Sequence, residues 1–289
     1  MRLEALFESS NPTSQPLPSR LSRGYGGDLG FSRPRLVANF VSSLDGVVSL
    51  DEHTPPSVIS AHSDADRFVM GLLRAHADAV LIGASTLRSE PNHMWTPEFI
   101  YPPEAACYAE LRQSLGLAPS PRLVVVSASG NLDGSAPALA QGALVVTTQL
   151  GYERLRGRLP EASTLRVLRP DGYIEPSEIL KLIRAEGHGL VLTEGGPTLL
   201  GSFLGANLVD ELFLTLSPLL AGGEGAGRRH LVEGVGFEGD CLRRAGLMSV
   251  RRSGAHLFMR YELETAKREG GSLLEPVPAA EEPVKGKAR

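Results

Sequence analysis

The sequence predicts an α/β domain built on a mixed, mostly parallel sheet with helices on both faces, and three observations carry that expectation. Short β-branched runs alternate with helical patterns along the chain. Several of those runs are apolar throughout, as strands covered on both faces must be, and each ends in small polar residues. No segment recurs at a fixed period, which sets aside solenoids and propellers. With 289 residues, 42% of them hydrophobic, the chain has ample material for one large core.

In chain order, residues 1–32 are rich in Ser, Pro and Gly, with Pro12, Pro16 and Pro18 punctuating them, so an irregular segment lying over the domain or a partner subunit is expected. RLVANFVS at 35–42 reads as a strand, followed by an Asp45-Gly46 turn and an extended 47–49. Within 63–76, Phe68, Leu72 and His76 recur every four residues with Val69 and Leu73 beside them, which predicts an amphipathic helix capped by Ser63. Buried parallel strands are expected at 79–82, 123–127 and 143–148. The alternation continues as strand 164–168, helix 176–186 capped by Gly187, strand 189–193, helix 197–205 and strand 208–217. Residues 257–263 alternate with no helix behind them, which fits an antiparallel edge or hairpin strand. One domain is therefore expected over 33–264, and the Glu/Lys/Pro/Ala-rich 265–289 should be a mobile tail.

Composition narrows the function. A formal charge of −4, from 29 basic against 33 acidic residues, gives no long-range attraction to nucleic acid or anionic lipid. No apolar run approaches the roughly 20 residues that cross a bilayer, and the opening lacks the basic-then-apolar order of a signal peptide. Cys107 and Cys241 provide neither a disulfide framework nor a metal spacing, so a reducing compartment, the cytoplasm, is the default. The histidines include no His-x-x-x-His pair, which disfavours a metal site.

In open α/β sheets ligands collect at the carboxyl ends of the strands, and three such ends stand out. At VLTEGGPTLLGSF, 191–203, a strand delivers Glu194, Gly195 and Gly196 permit a tight turn, and Pro197 opens a helix. The free amides of Gly196, Thr198 and Leu199, with the positive helix end, would hold a phosphate; a plain strand-to-helix turn is the alternative. At AVLIGASTLRSEP, 79–91, Gly83, Ala84, Ser85 and Thr86 offer small residues and hydroxyls suited to sugar or phosphate, with Arg88 nearby as a charge partner. Ser127 and Ser129 follow the third strand, where their hydroxyls could contact the far end of a nucleotide. There is no G-x-G-x-x-G fingerprint, Walker lysine or Gly-x-Ser-x-Gly elbow, and the glycine-rich 222–227 reads as a flexible loop. His76 reads as core, and Trp95, Phe99 and Tyr101 as cover over it.

The order of these motifs resembles a known family. NFVSSLDGVVS (39–49), LLRAHADAVLIGASTLRSEP (72–91) and LTEGGPTLLGSFLGANLVDELFLTLSPLLAGG (192–223) resemble, in sequence, the reductase domain of the bifunctional riboflavin-biosynthesis deaminase-reductases. The resemblance implies a dihydrofolate-reductase-like fold. It also implies NADPH-dependent reduction of the ring-opened ribosyl group of 5-amino-6-(5-phosphoribosylamino)uracil to a ribityl chain. By position, Gly83, Ala84, Ser85, Thr86, Glu194, Gly195, Gly196, Thr198 and Leu199 would line NADPH, with Ser127 and Ser129 at its adenosine end. Asn39, Ser42, Arg67 and Glu90 would face the substrate, with Asp45 as the catalytic residue. Arg67 would meet the substrate phosphate or be a surface arginine; Asp45 would orient the substrate, although Asp-Gly is also a strong turn pair.

Two departures from the family pattern bear on the substrate. Val47 stands where the family usually has Lys, and Ser89-Glu90-Pro91 runs on to Thr96 where Asp-Asp-Pro and a later Arg are usual, so two substrate-facing cations are lost. The deaminase pattern His-x-Glu with Pro-Cys-x-x-Cys is missing, which implies a stand-alone reductase. The alternatives are a paralogous reductase of another pyrimidine or a pterin, and a non-catalytic cofactor-binding module. The apolar 208–220 run and the family habit suggest a homodimer.

Overall fold

Period-two alternation sorts the side chains of the central strands onto two faces, and each face is closed by its own helices. The computed structural model describes residues 1–10, 15–51, 54–223, 227–239 and 242–264. The expected tail at 265–289, the middle of the 222–227 loop, His53 and Cys241 lie outside the described residues.

The elements run β1 (Glu4–Glu8), α1 (Ser19–Tyr25), β2 (Arg35–Ser42), β3 (Val47–Ser49), α2 (Asp64–His76), β4 (Ala79–Gly83), α3 (Ala84–Ser89), α4 (Pro97–Ile100) and α5 (Ala105–Ser114). They continue as β5 (Arg122–Ser127), α6 (Pro137–Ala140), β6 (Ala143–Thr148), α7 (Gln149–Leu155), β7 (Thr164–Arg169), α8 (Pro176–Ala185), β8 (Leu190–Thr193), α9 (Pro197–Gly205), β9 (Glu211–Leu216), β10 (Arg229–His230), β11 (Ala245–Ser253) and β12 (His256–Leu263). Among the described residues ten strands form one sheet in the order β1-β11-β12-β9-β2-β8-β4-β5-β6-β7. The run from β9 to β7 is parallel, and β12, β11 and β1 extend it antiparallel. This is the mixed, mostly parallel α/β sheet that the sequence predicts.

On one face Val37, Val80, Ile82, Val125, Val145 and Leu192 pack with Phe68, Leu72 and Leu73 of α2. On the other, Leu36, Ala38, Leu81, Val124, Leu144 and Val191 pack with Ile179 and Ile183 of α8 and Leu200 and Phe203 of α9. Helix α2 begins where expected, with the Ser63 hydroxyl accepting from the Asp66 amide at 3.3 Å. His76 is core: its ring nitrogens lie 2.8 Å from the Leu72 carbonyl and 3.2 Å from that of Leu29, and burial pushes its pKa down to about 4.

The opening segment departs from expectation. Residues 1–32 are not irregular throughout, because β1 and α1 form within them. Strand β1 is the sheet edge; it has no apolar alternation to read, and pairing with β11 creates it, reinforced by Glu4–Arg252 at 2.6 Å and Glu8–Arg251 at 2.7 Å. Helix α1 is anchored by Leu21 and Tyr25, with the Arg251 guanidinium 3.9 Å from the Tyr25 ring centre. Strand β12 is a hairpin strand, as expected, yet it is not an edge, since β11 and then β1 lie outside it. Residues 84–89, expected as a loop, form the helix α3.

Candidate active site

Strands β4 and β8 are parallel neighbours, paired from Ala79↔Val191 to Leu81↔Thr193, so their carboxyl-end turns lie side by side. From the β4 end, Gly83 caps α3 and delivers Ser85 and Thr86. From the β8 end, Gly196 caps α9 with Pro197 in its first turn. A Cβ on Gly195 would stand 2.6 Å from Leu199 Cδ2 and 3.3 Å from the Gly83 amide nitrogen. One on Gly196 would stand 3.6 Å from Ser85 Oγ and 3.8 Å from Thr86 Oγ1. The structure thus brings together Gly83, Ala84, Ser85, Thr86, Gly195, Gly196, Thr198 and Leu199. The first amides of a helix lack intrahelical acceptors; with two adjacent hydroxyls and no side chain in the way, they make a surface suited to a phosphate ester.

Glu194 behaves differently. Its carboxylate turns inward to Arg74 of α2, with Nη2–Oε2 at 2.6 Å and Nε–Oε1 at 3.0 Å. Arg74 also donates to the carbonyls of Met94 and Thr96, both at 3.3 Å, and to His93 Nε2 at 3.1 Å. A guanidinium cannot accept, so His93 carries its proton on Nδ1, which faces Glu90 Oε2 at 3.4 Å. Burial and the neighbouring Arg74 push the His93 pKa down to about 3, so the His93–Glu90 contact is a neutral one rather than an ion pair. Burial raises the Glu90 carboxyl, with Glu194 adding repulsion against the pull of Arg74. Glu90 and Glu194 therefore share one buried cation beneath the glycine turn.

The adenosine-end candidates follow β5, the next strand beyond β4. Ser127 is only 5% exposed, whereas Ser129 is exposed and its hydroxyl accepts from the Asn131 amide at 3.3 Å. Two arginines reach the same loop: Arg154 donates to the Ser129 carbonyl at 2.9 Å and Arg88 to that of Asn131 at 2.6 Å. Neither has a carboxylate at ion-pair distance among the described residues.

The substrate-side candidates are less closely gathered. Asn39 follows Val37 on the α2 face of β2, whereas Ser42 follows Ala38 and Phe40 on the opposite face. Arg67 is exposed on the first turns of α2 and ion-paired with Asp64. Asp45 accepts from Ser43 Oγ at 2.5 Å and from the amides of Ala221 at 3.1 Å and Gly222 at 2.7 Å. The Ser43 hydroxyl, with those amides, holds its carboxyl well below the usual carboxylate range. Asp45 therefore ties the β2–β3 turn to the loop after β9. Val47 is buried, with 1% exposure.

Several residues of this region were not read from the sequence. Arg74 and His93 gave no signal, because their partner Glu194 is remote in the chain. Asp66 did give one: it shares a face of α2 with Val69 and Leu73, an acid on an apolar stripe. A cavity of about 350 Å³ at the amino-terminal edge of the sheet is lined by Arg112, Arg122 and His188. It is structural, since Arg112 is spent on the carbonyls of Arg74, Ala75, Ala77 and Ala118, and Arg122 on that of Gly142.

Comparison with known proteins adds to this geometry. Residues 34–258 match the family model described as the RibD C-terminal domain. The 2,5-diamino-6-ribosylamino-4(3H)-pyrimidinone 5′-phosphate reductase of Archaeoglobus fulgidus is 28% identical over 193 residues, covering 66% of this chain and 83% of that one. The protein of the same name from Methanothermobacter thermautotrophicus is 25% identical over 237 residues, covering 80% and 99%. In structure, the chain is similar to a pyrimidine reductase-like protein of Corynebacterium diphtheriae, with TM-score 0.62 and 23% identity over 80% of this chain and 92% of that one.

Proposed function

Since the chain belongs to the RibD C-terminal domain family, we propose that it is an NADPH-dependent reductase of riboflavin biosynthesis. It reduces the ring-opened ribosyl group of a 5-amino-6-ribosylaminopyrimidine phosphate, a class that includes 5-amino-6-(5-phosphoribosylamino)uracil, to a ribityl chain. The observation that carries this reading is the junction of the β4 and β8 ends, where Gly195 lets the turn pack closely on Leu199 and the Gly83 amide and Gly196 sets the start of α9 against the Ser85 and Thr86 hydroxyls. When bound, the nicotinamide supplies a hydride to the substrate. The residues of the chain bind and orient. Ser85, Thr86 and the amides at the start of α9 hold the pyrophosphate, and Glu194, fixed by Arg74, sets the turn from below.

On the substrate side, Asn39 and Ser42 border the ring, Glu90 closes the pocket, and Arg67 exchanges Asp64 for the substrate phosphate. Asp45 shapes this end by pinning the loop at Ala221 and Gly222. The same reading places the enzyme in the cytoplasm as a homodimer; exposed Leu44, Leu219 and Leu220, the last 77% exposed, lie together beside that clamp.

The test is NADPH oxidation, followed by absorbance, with the 2-amino and 2-oxo ribosylaminopyrimidine phosphates and with dihydrofolate in parallel. Turnover of either pyrimidine is the expected result. Oxidation with dihydrofolate alone would assign the chain to the paralogous reaction, and cofactor binding without any oxidation would leave a binding module.

A further inference from the structure

We infer that Arg74 and His93 couple the two halves of the site, so that NADPH and the pyrimidine each tighten the binding of the other. This rests on the reductase reading above and adds a positioning device to it. Arg74 offers five N–H donors, and they reach two separate segments. On the turn after β8, Nε donates to Glu194 Oε1 at 3.0 Å and Nη2 to Glu194 Oε2 at 2.6 Å. On the loop after α3, Nη1 donates to the carbonyls of Met94 and Thr96, both at 3.3 Å, and Nη2 to His93 Nε2 at 3.1 Å. The guanidinium is thereby fully engaged, and among the described residues Glu90 makes no ion pair with it. Glu90 reaches that cation through the His93 imidazole, whose Nδ1 lies 3.4 Å from Glu90 Oε2.

The loop that carries Glu90 is also tied to the other cofactor segment. At the end of α3 the Glu90 amide and the Ser89 hydroxyl donate to the Thr86 carbonyl, at 3.3 Å and 3.0 Å. The His93 amide then donates to the Glu90 carbonyl at 3.0 Å, which closes a tight turn. The His93 ring packs between Trp95 and Phe99, with ring centres 4.9 Å and 5.0 Å away. Both proposed cofactor segments therefore reach Glu90, α3 along the chain and the glycine turn through Arg74 and His93. The direct interaction between Glu90 and Glu194 is repulsive, so the link between them depends on these two residues.

Coupling follows from this sharing. Fixing the glycine turn around a pyrophosphate fixes Glu194 and, through it, the guanidinium. The 90–96 loop hangs on the same guanidinium, so it is held before the pyrimidine arrives. Conformational freedom is lost with the first ligand, and the second binds to a loop already ordered. Linkage makes the effect reciprocal: each ligand raises the affinity of the other by the same factor, typically about 5- to 150-fold.

Calorimetry would give the NADPH dissociation constant alone and with a saturating ribitylaminopyrimidine phosphate, the product, which NADPH does not reduce further. In the wild type the product should lower that constant by about 5-fold or more. His93→Phe keeps the packing on Trp95 and Phe99 but neither polar contact, and should bring the ratio towards one. His93→Gln, with Oε1 to accept from Arg74 and Nε2 to donate to Glu90, should keep it. A purely structural role would lower the thermal midpoint and leave the ratio alone. No coupling in the wild type, an undiminished ratio in folded His93→Phe, or equal loss in both variants would each overturn the inference. Should the variants fail to fold, the wild type decides: NADPH by itself should slow hydrogen exchange of the 92–96 amides, and unchanged exchange there overturns the inference. Failure of the reductase reading is seen separately, as no NADPH oxidation with either ribosylated pyrimidine.

Discussion

Arg74 and Glu194 form a buried, doubly hydrogen-bonded ion pair that ties helix α2 to the turn after β8, although 120 residues separate them in the chain. The Arg74 side chain is 1% exposed and that of Glu194 6%, so neither charge has water to fall back on. Removing one partner leaves the other uncompensated. Arg74→Met should therefore cost about 3–5 kcal/mol of stability, read as a lower urea midpoint, and should also weaken NADPH binding because the glycine turn loses its support. The double change Arg74→Met/Glu194→Leu should recover much of the stability without recovering the binding. A single variant as stable as the wild type would mean that the pair is not a strut.

A Cβ on Gly196 would stand 3.6 Å from the Ser85 hydroxyl and 3.8 Å from that of Thr86, in the space proposed for the cofactor phosphate. Gly196→Val would put a branched side chain into that space without straining the backbone, since Gly196 has φ −61° and ψ 165°. The expected outcome is an unchanged thermal midpoint with loss of calorimetric NADPH binding. Full binding by the folded variant would move the cofactor away from the β4–β8 junction.

The hydroxyls of Ser127 and Ser129 are a weaker basis for choosing NADPH over NADH than the two guanidiniums beside them. Ser127 is buried, and Ser129 is engaged by Asn131, whereas among the described residues Arg154 and Arg88 donate to backbone carbonyls and pair with no carboxylate. Arg154→Ala should lower the ratio of NADPH to NADH efficiency by about 10-fold, the scale of one charge-assisted contact to a phosphate. Replacing Ser127 and Ser129 together by Ala should change it far less. Steady-state kinetics with both cofactors, in which the serine pair proved dominant, would restore the hydroxyls to that role.

Asp66 also carries a pH signature. Its folded pKa is raised by burial from 3.8 to about 6, so folding favours the protonated form. That contribution is fully present below pH 4 and is lost as the pH rises through about 6. Two units amount to about 3 kcal/mol. Asp66→Asn should accordingly gain stability over the wild type at pH 7.5 and little or none at pH 4. His76 and His93, with pKa values pushed down to about 4 and about 3, act in the opposite sense and destabilise both proteins alike as the pH falls below 6.5. Urea denaturation of the two proteins at both pH values isolates the Asp66 contribution as a difference.

The parallel half of the sheet was legible in the chain because strands covered on both faces are apolar throughout, as β4, β5 and β6 are, and because Ser63 and Pro197 mark helix starts by local chemistry. The Gly83–Thr86 and Gly195–Leu199 segments were legible as turns for the same reason. Their meeting was implied only by the family resemblance, since it depends on β4 lying next to β8, a neighbour relation that the residues of neither strand encode. The same holds for β1 and β11, which lack apolar alternation and exist through pairing and arginine–carboxylate contacts across more than 240 residues. It holds for Asp45, whose bonds to the amides of Ala221 and Gly222, more than 170 residues away, no local pattern announces. Local sequence sets backbone preference and the apolar face of each element, because those depend on neighbours a few residues away. The partner of each charge depends on how the elements pack, and so only the folded chain assigns Glu194 to Arg74 and leaves Asp66 beside Thr215 with no ion pair among the described residues.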